Sequence, residues 1–170
     1  MSSETITTAL FLITTVVAAS VLIMAIFPVI SSMTGTFAST THQSDVRIRT
    51  DFKIITTFAK DSTNTANVWM KNIGTESISL DEIQMADVYC GPVSSFDHMT
   101  YTSGAPGDGQ WTEYLTPGEY DLNSNSLWDP GETLKVVVST TTIPSSGNYV
   151  YFQFALPNGI WRSVEFTSVS

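Results

Sequence analysis

The 170 residues include one cysteine and two histidines, and no Asn-X-Ser/Thr triplet. Cys90 has no partner for an intramolecular disulfide, so the folded part must be held by its core, by metal or by assembly with neighbours. The expected state of Cys90 is a buried free thiol. The usual acceptor for N-linked glycans is missing. With only His42 and His98 available, nucleophilic catalysis would have to pair His98 with Cys90 or a serine, and no nucleophile-elbow, zinc or phosphate-loop spacing supports such a pairing. The expectation is a protein that is not an enzyme. Basic residues are also few: seven Lys and Arg against sixteen Asp and Glu give a net charge of −9 and a pI of about 4.3. An acidic chain is repelled by a phosphate backbone, which excludes nucleic acid as the main partner.

Charge is missing for a long stretch near the start. No Asp, Glu, Lys or Arg occurs between Glu4 and Asp45, and Ala9 to Ile30 reads ALFLITTVVAASVLIMAIFPVI. About twenty apolar residues span a bilayer, and a helix is the one single-segment backbone that satisfies its own hydrogen bonds there. A cleaved signal peptide would have a basic start and a shorter apolar stretch, so an anchor is expected. The next stretch, Ser31 to Ser44, is polar but uncharged, with Met33, Phe37 and Ala38 spaced to share a helical face. It reads as the helix continued, with a flexible linker as the other reading. Pro28 and Gly35 are expected to kink it. The expected assembly face is Ile6, Leu10, Ile13, Val17, Val21, Met24, Phe27, Met33 and Phe37, through which copies would self-associate. The division is therefore residues 1–44 for the helix and 45–170 for a single domain, about 125 residues and enough for one core.

From Asp45 the apolar period becomes two. In DVRIRTDFKI, Val46, Ile48, Phe52 and Ile54 alternate with Arg47, Arg49, Asp51 and Lys53, which predicts a half-buried strand. The basic residues here could meet lipid headgroups or an acidic neighbour, or be a solvated strand face. Further strands are expected at Asn67 to Ile73, Ser77 to Leu80, Glu82 to Cys90, Thr133 to Thr142, Tyr149 to Leu156 and Ile160 to Phe166. Asn158-Gly159 between the last two predicts a type I′ hairpin. About seven short strands with intervening turn signals predict an immunoglobulin-like β-sandwich. Gly91 to Tyr120 is long and glycine-rich, and its Phe96, Tyr101, Trp111 and Tyr114 are expected to form a partner-facing surface, with packing over the sandwich end as the alternative.

Asp121 to Glu132, DLNSNSLWDPGE, places oxygens at the spacing of a calcium loop: Asp121, Asn123, Asn125, Asp129 and Glu132, with the carbonyl of Leu127 between. Position six is Ser126 where a sharp turn favours glycine. The loop is expected to bind Ca²⁺ or to be an Asx-rich turn. Between Asn72 and Leu134 there are eleven acidic residues and no Lys or Arg, a repulsion that divalent ions would relieve.

RIRTDFKI, NVWMKNIG, NSLWDPGETLKV and YFQFALPNGIWRSVEF, in this order behind a charge-free helix, resemble the FlaG/ArlG family of archaellum accessory proteins, in the type-IV-pilin-like superfamily. The resemblance runs along nearly the whole length. It implies a membrane helix bearing an outer immunoglobulin-like sandwich. It also implies a stator-type role beside a FlaF-type partner beneath the S-layer, without chemistry. The start MSSETITTAL has no Lys/Arg-Gly cleavage site, so the N-terminus is expected to be kept. On this reading the chain is a structural subunit of the archaeal motility machinery, anchored in the cytoplasmic membrane with its domain outside. The alternatives are a bulk archaellin or type IV pilin of an extracellular filament, and a calcium-dependent surface-binding module.

Overall fold

A computed structural model describes residues 2–170, with the side chains of residues 2, 38, 39, 42 and 43 outside the description, among them those of Ala38 and His42. It falls into two compact units, Met1–Ser44 and Asp45–Ser170. The first is made by helix α1, Ser2–Arg49, whose last turn belongs to the second unit. Pro28 lies inside the helix, and the hydroxyls of Ser31 and Ser32 donate to its carbonyl at 3.1 and 3.0 Å.

The second unit carries ten strands: β1 Phe52–Lys60, β2 Thr65–Asn72, β3 Ile78–Ser79, β4 Asp87–Pro92, β5 Asp97–Tyr101, β6 Gln110–Tyr114, β7 Leu127–Trp128, β8 Thr133–Ser139, β9 Tyr149–Ala155 and β10 Trp161–Val169. A short helix, α2 Leu80–Gln84, precedes β4. Eight strands close into a ring in the order β1-β10-β9-β4-β5-β6-β8-β2, while β3 and β7 pair separately. The ring corrects the open sandwich expected from the strand count, and the register shows how. One sheet, β1-β2-β8-β6, and another, β10-β9-β4-β5, are antiparallel throughout. They meet at two parallel seams, β1 with β10 and β5 with β6, of two residue pairs each. The seams join the two sheets at one end of each edge and shorten the run of unpaired backbone that could template foreign strands.

Alternation supplies the core. Val68 and Met70, Val136 and Val138, Val88 and Cys90, and Phe152 and Phe154 are all fully buried, each worth about 1.5–3 kcal/mol when it is a large apolar side chain. Trp111 and Trp128 fill the space between them, also fully buried. Phe154 receives the edges of Phe52 at 5.6 Å and Trp111 at 6.0 Å, the perpendicular geometry aromatic rings prefer.

Three local expectations are corrected. Asp45–Arg49 is helical and not a strand, and Ile48 is 82% exposed. Asp45 and Arg49 pair at i,i+4 (3.6 Å), Arg47 and Arg49 sit in the last turn where the helix dipole favours cations, and Thr50 donates from both N–H and hydroxyl to the carbonyl of Val46. Likewise Leu80–Gln84 is helix, because Ser79 and Glu82 form a capping box that outweighs the apolar alternation of the following strand. The final hairpin is not type I′. Gly159 N–H donates to the carbonyl of Leu156 and Leu156 N–H to that of Ile160, both at 2.9 Å. Gly159 has φ +82° whereas Asn158 is not left-handed. Pro157 fixes a negative φ at the first turn position, which suits a type I turn followed by a left-handed glycine.

Gly74 carries the tightest steric demand. A Cβ there would lie 2.6 Å from the amide nitrogen of Asp51 and closer still to the carbonyl oxygen of Arg49, while nothing lies within 4 Å of one placed on Gly104. Gly74→Ala is expected to destabilise the domain by about 3 kcal/mol, and Gly104→Ala by less than about 0.5 kcal/mol, as read by guanidinium unfolding of the detergent-solubilised chain followed by tryptophan fluorescence.

Candidate functional site

The first candidate surface is α1 itself. Ser3–Phe37 is apolar and long enough to cross a membrane, with none of its most apolar window buried. At about 1.5 Å per residue these 35 residues extend about 50 Å, well beyond a hydrocarbon core of about 30 Å. The nine side chains expected to form an assembly face are all exposed, from Val17 at 56% to Met24 at 76%, but so are Phe11, Leu12, Val16 and Ile23. The helix is therefore apolar all round and not along one stripe, the pattern of a helix surrounded by lipid or by other helices. Its hydroxyls add little polarity: Thr14 donates to the carbonyl of Leu10 and Ser20 to that of Val16, each at 2.8 Å, the internal satisfaction that a hydrocarbon setting requires.

The last turn of α1 ends in a hydrogen-bonded clasp. The carbonyl of Arg49 accepts from the N–H groups of Thr75 and Glu76, and that of Asp51 from those of Ile73 and Gly74. Arg49 also pairs with Glu76 at 3.4 Å, and Arg162 with Asp51. Behind the clasp, fully buried Asn72 donates its amide to the carbonyls of Glu76 (2.9 Å) and Trp128 (2.8 Å) and accepts from Gly74 N–H (2.9 Å). Sequence reasoning singled out neither Asn72 nor Gly74. The signal available was Asn-Ile-Gly at a strand end, an Asx turn whose glycine tolerates close backbone approach.

Asp121 to Glu132 forms a loop closed by its own groups. Buried Asp121 accepts from the N–H groups of Asn125 and Ser126 at 3.2 and 2.8 Å. Glu132 accepts from those of Leu122 at 2.7 Å and Asp129 at 3.0 Å. The side-chain amides of Asn123 and Asn125 donate to Asp129 at 2.7 and 2.8 Å, and the side-chain oxygen of Asn125 accepts from Leu127 N–H. Ser124 and Ser126 are left-handed, at φ +58° and +62°, the second where a calcium loop carries glycine. Among the described residues no three His, Cys, Asp or Glu gather as a metal set. The side-chain oxygens of Asp121, Asn123, Asn125 and Glu132 accept backbone N–H groups in this arrangement. The hydroxyl of Ser77, then the amides of Asn123 and Asn125, hold Asp129 below the usual carboxylate pKa of 3.8. Its contribution to stability is thus complete above that value and lost as the pH falls below it.

The aromatic residues of Gly91 to Tyr120 do not form one surface. Trp111 is fully buried on β6, because its register partner is core Val138, and this corrects its placement toward a partner. Tyr101 packs on Trp111 at 5.2 Å and donates its hydroxyl to Glu113. Burial and that carboxylate push its pKa up to about 12. Phe96, in the connection from β4 to β5, and Tyr114, at the end of β6, are exposed, at 44% and 42%. Phe96 lies 4.5 Å from the ring of Tyr151 on β9, and Tyr114 takes the ammonium of Lys135 on β8 at 5.3 Å. His98 pairs with Asp87 at 3.2 Å on the surface, and no nucleophile is placed beside it among the described residues. Burial pushes the Cys90 thiol up to about 12.

A long apolar helix followed by a closed β-domain is the architecture of a subunit made for anchorage or assembly. The archaeal-type flagellin family matches residues 2–166, and the chain belongs to that family. It is 28% identical over 163 residues to an uncharacterized protein of Archaeoglobus fulgidus, covering 94% of this chain and 95% of that one. Among solved structures it is similar to the archaellum periplasmic stator protein FlaG of Sulfolobus acidocaldarius, with 25% identity, a TM-score of 0.53, and coverage of 69% of this chain and 99% of that one. It is equally similar to a chain of the FlaF and FlaG stator complex of the same organism, with 25% identity, a TM-score of 0.54, and coverage of 68% and 87%. The archaeal flagellum of Methanospirillum hungatei shares the fold, with 16% identity, a TM-score of 0.55, and coverage of 91% and 90%. The protein is an archaellum-related structural protein.

Asp121→Asn and Glu132→Gln are each expected to cost about 1–3 kcal/mol, because a buried carboxylate oxygen that accepts a backbone N–H is replaced by an amide NH₂ that cannot, equally in Ca²⁺ and in EGTA, as read by thermal melting. A cost that appears only in Ca²⁺ would show that an ion orders the loop. Maleimide is expected to label Cys90 at least about a hundredfold more slowly in the native chain than in denaturant, since the thiolate is the reacting species.

Proposed function

We propose that the chain is a stator-type accessory subunit of the archaellum, held in the cytoplasmic membrane by α1 with its β-domain outside. Identity supports this over a bulk filament role, being 25% to FlaG across 99% of that chain and 16% to the flagellum structure. The carrying observation is the helix whose apolar side chains are exposed on every side. Burying them takes either lipid or neighbouring helices, and both place the protein in an envelope assembly. A FlaF-type protein is the partner this reading supplies, and the S-layer is the surface against which such a pair would brace. The two four-stranded sheets then read as an immunoglobulin-like sandwich whose edges have closed. The role is mechanical and not enzymatic. Calcium in the Asp121 to Glu132 loop would share oxygens that already accept backbone N–H groups, and the paired Ca²⁺ and EGTA melts decide that point.

The second reading is a filament subunit, favoured by the fold shared with the flagellum structure. Shearing cells and assaying both fractions separates the two. A stator-type subunit stays with the sedimented envelope in small amount, whereas a filament protein leaves in bulk with the sheared fibres, and that second outcome would sink the first reading. Val17→Lys puts a charge at the middle of the span, costing about 2.5–3.5 kcal/mol there. It is expected to move the protein out of the envelope fraction, while a Val17→Leu control stays.

A further inference from the structure

The outward face of the β1-β2-β8-β6 sheet is unlike the rest of this acidic chain. All four lysines, Lys53, Lys60, Lys71 and Lys135, project from it, because each adjoins a fully buried residue, Phe52, Ala59, Met70 or Leu134, and successive side chains on a strand alternate. No carboxylate occupies an outward strand position. Glu113, the one acid in these four strands, shares register with core Val136, and its Oε1 accepts from Tyr101 and Gln84. The ion pairs among the described residues use Arg49, His98 and Arg162, and none uses a lysine. Lys53 and Lys71 stand directly opposite each other across β1 and β2, both exposed, an arrangement that like charges disfavour. A bound anion would relieve it.

Beside these lysines lies an aromatic row. Trp69, Lys135 and Tyr114 are register partners across β2, β8 and β6, and the Lys135 ammonium lies 5.5 Å from the centre of the Trp69 ring and 5.3 Å from that of Tyr114. Trp69 is oriented by its indole N–H, which donates to the Tyr120 hydroxyl at 3.3 Å, and Tyr114 is exposed. The next rows add neutral polar groups, with Asn67 opposite Val137 and with Thr65 and Gln110 on either side of Ser139. This combination selects among anions. Acidic groups of any polymer would satisfy the ammonium charges. The C–H side of a sugar ring also rests on the negative face of an indole or phenol ring, and sugar hydroxyls exchange hydrogen bonds with amide and hydroxyl side chains. An acidic polypeptide uses only the first of these three features.

We infer that the outward face of the β1-β2-β8-β6 sheet binds an anionic polysaccharide of the cell envelope, with acidic groups at the lysines and sugar rings on Trp69 and Tyr114. The inference rests on the envelope reading above for the presence of such a polymer, and it gives the β-domain a contact that α1 does not make. Charge complementarity and the aromatic row together name the occupant.

The test uses the full chain in micelles of a neutral detergent, which cover α1, with binding read by isothermal titration calorimetry. The probes are polygalacturonate, neutral dextran and polyglutamate. Polygalacturonate is expected to bind, less tightly as salt rises, and the other two about tenfold more weakly or not at all. Lys53→Gln with Lys71→Gln should weaken polygalacturonate binding by about tenfold. Tyr114→Ala should weaken it severalfold, whereas Tyr149→Ala, exposed on β9, should leave it unchanged. Thermal melting checks that each variant is folded, and if the lysine pair fails to fold, Tyr114→Ala against Tyr149→Ala carries the comparison. A wild type that ignores polygalacturonate, equal binding of polyglutamate, or folded lysine and tyrosine variants that bind like the wild type overturns the inference. Any of these leaves the envelope reading standing if the protein still sediments with the sheared envelope, so the two can fail separately.

Discussion

The amide of Asn72 is the contact on which the end of the domain that receives residues 45–49 turns. It is fully buried and fully used, joining the end of β2 to the loop that receives the last turn of α1 and to Trp128 in the β3 and β7 ribbon. A buried amide without partners would cost several kcal/mol, so its three bonds allow one arrangement of these elements and penalise others. Gly74 completes the constraint, because only a residue without a side chain lets the strand end approach Arg49 and Asp51. The Asp121 to Glu132 loop then closes over the same end by satisfying its own N–H groups.

The two units meet opposite demands. The helix has almost no polar group to offer, since its hydroxyls bond its own carbonyls, and it leaves its apolar surface uncovered. The β-domain hides its apolar residues within a closed ring of strands and shows charge outside. A helix that requires company and a domain that resists accidental strand pairing suit a subunit assembled through chosen faces. The family match and the shared filament fold span both parts, and the likeness to a stator protein covers 69% of the chain.

Much of this was legible in the residues. The charge-free stretch gave the helix, and strict alternation gave β8 to β10, where Leu134, Val136 and Val138 or Val150, Phe152 and Phe154 point inward. What misled was competition between local signals. Val46 and Ile48 alternate like a strand, but Asp45 and Arg49 pair along a helix that was already running. Leu80 to Gln84 continues an apolar pattern, yet Ser79 and Glu82 cap a helix there. At the hairpin, Asn-Gly indicated one turn and Pro157 imposed another. Trp111 looked like a binding residue because its surroundings are rich in glycine and polar groups, and only its pairing with Val138 shows that it faces inward. The clasp was out of reach because it joins residues 49–51 to 72–76 through backbone groups, which leave no mark on composition.

The position of β1 has a mechanical consequence. This strand follows α1 directly and is held on both flanks, by β2 along its length and by β10 at its far end. A pull on the chain from α1 therefore enters at Phe52, the start of a strand hydrogen-bonded on both flanks. Force directed along β1 would load these hydrogen bonds together, in shear, and not peel them one after another, so the domain would resist it as a unit.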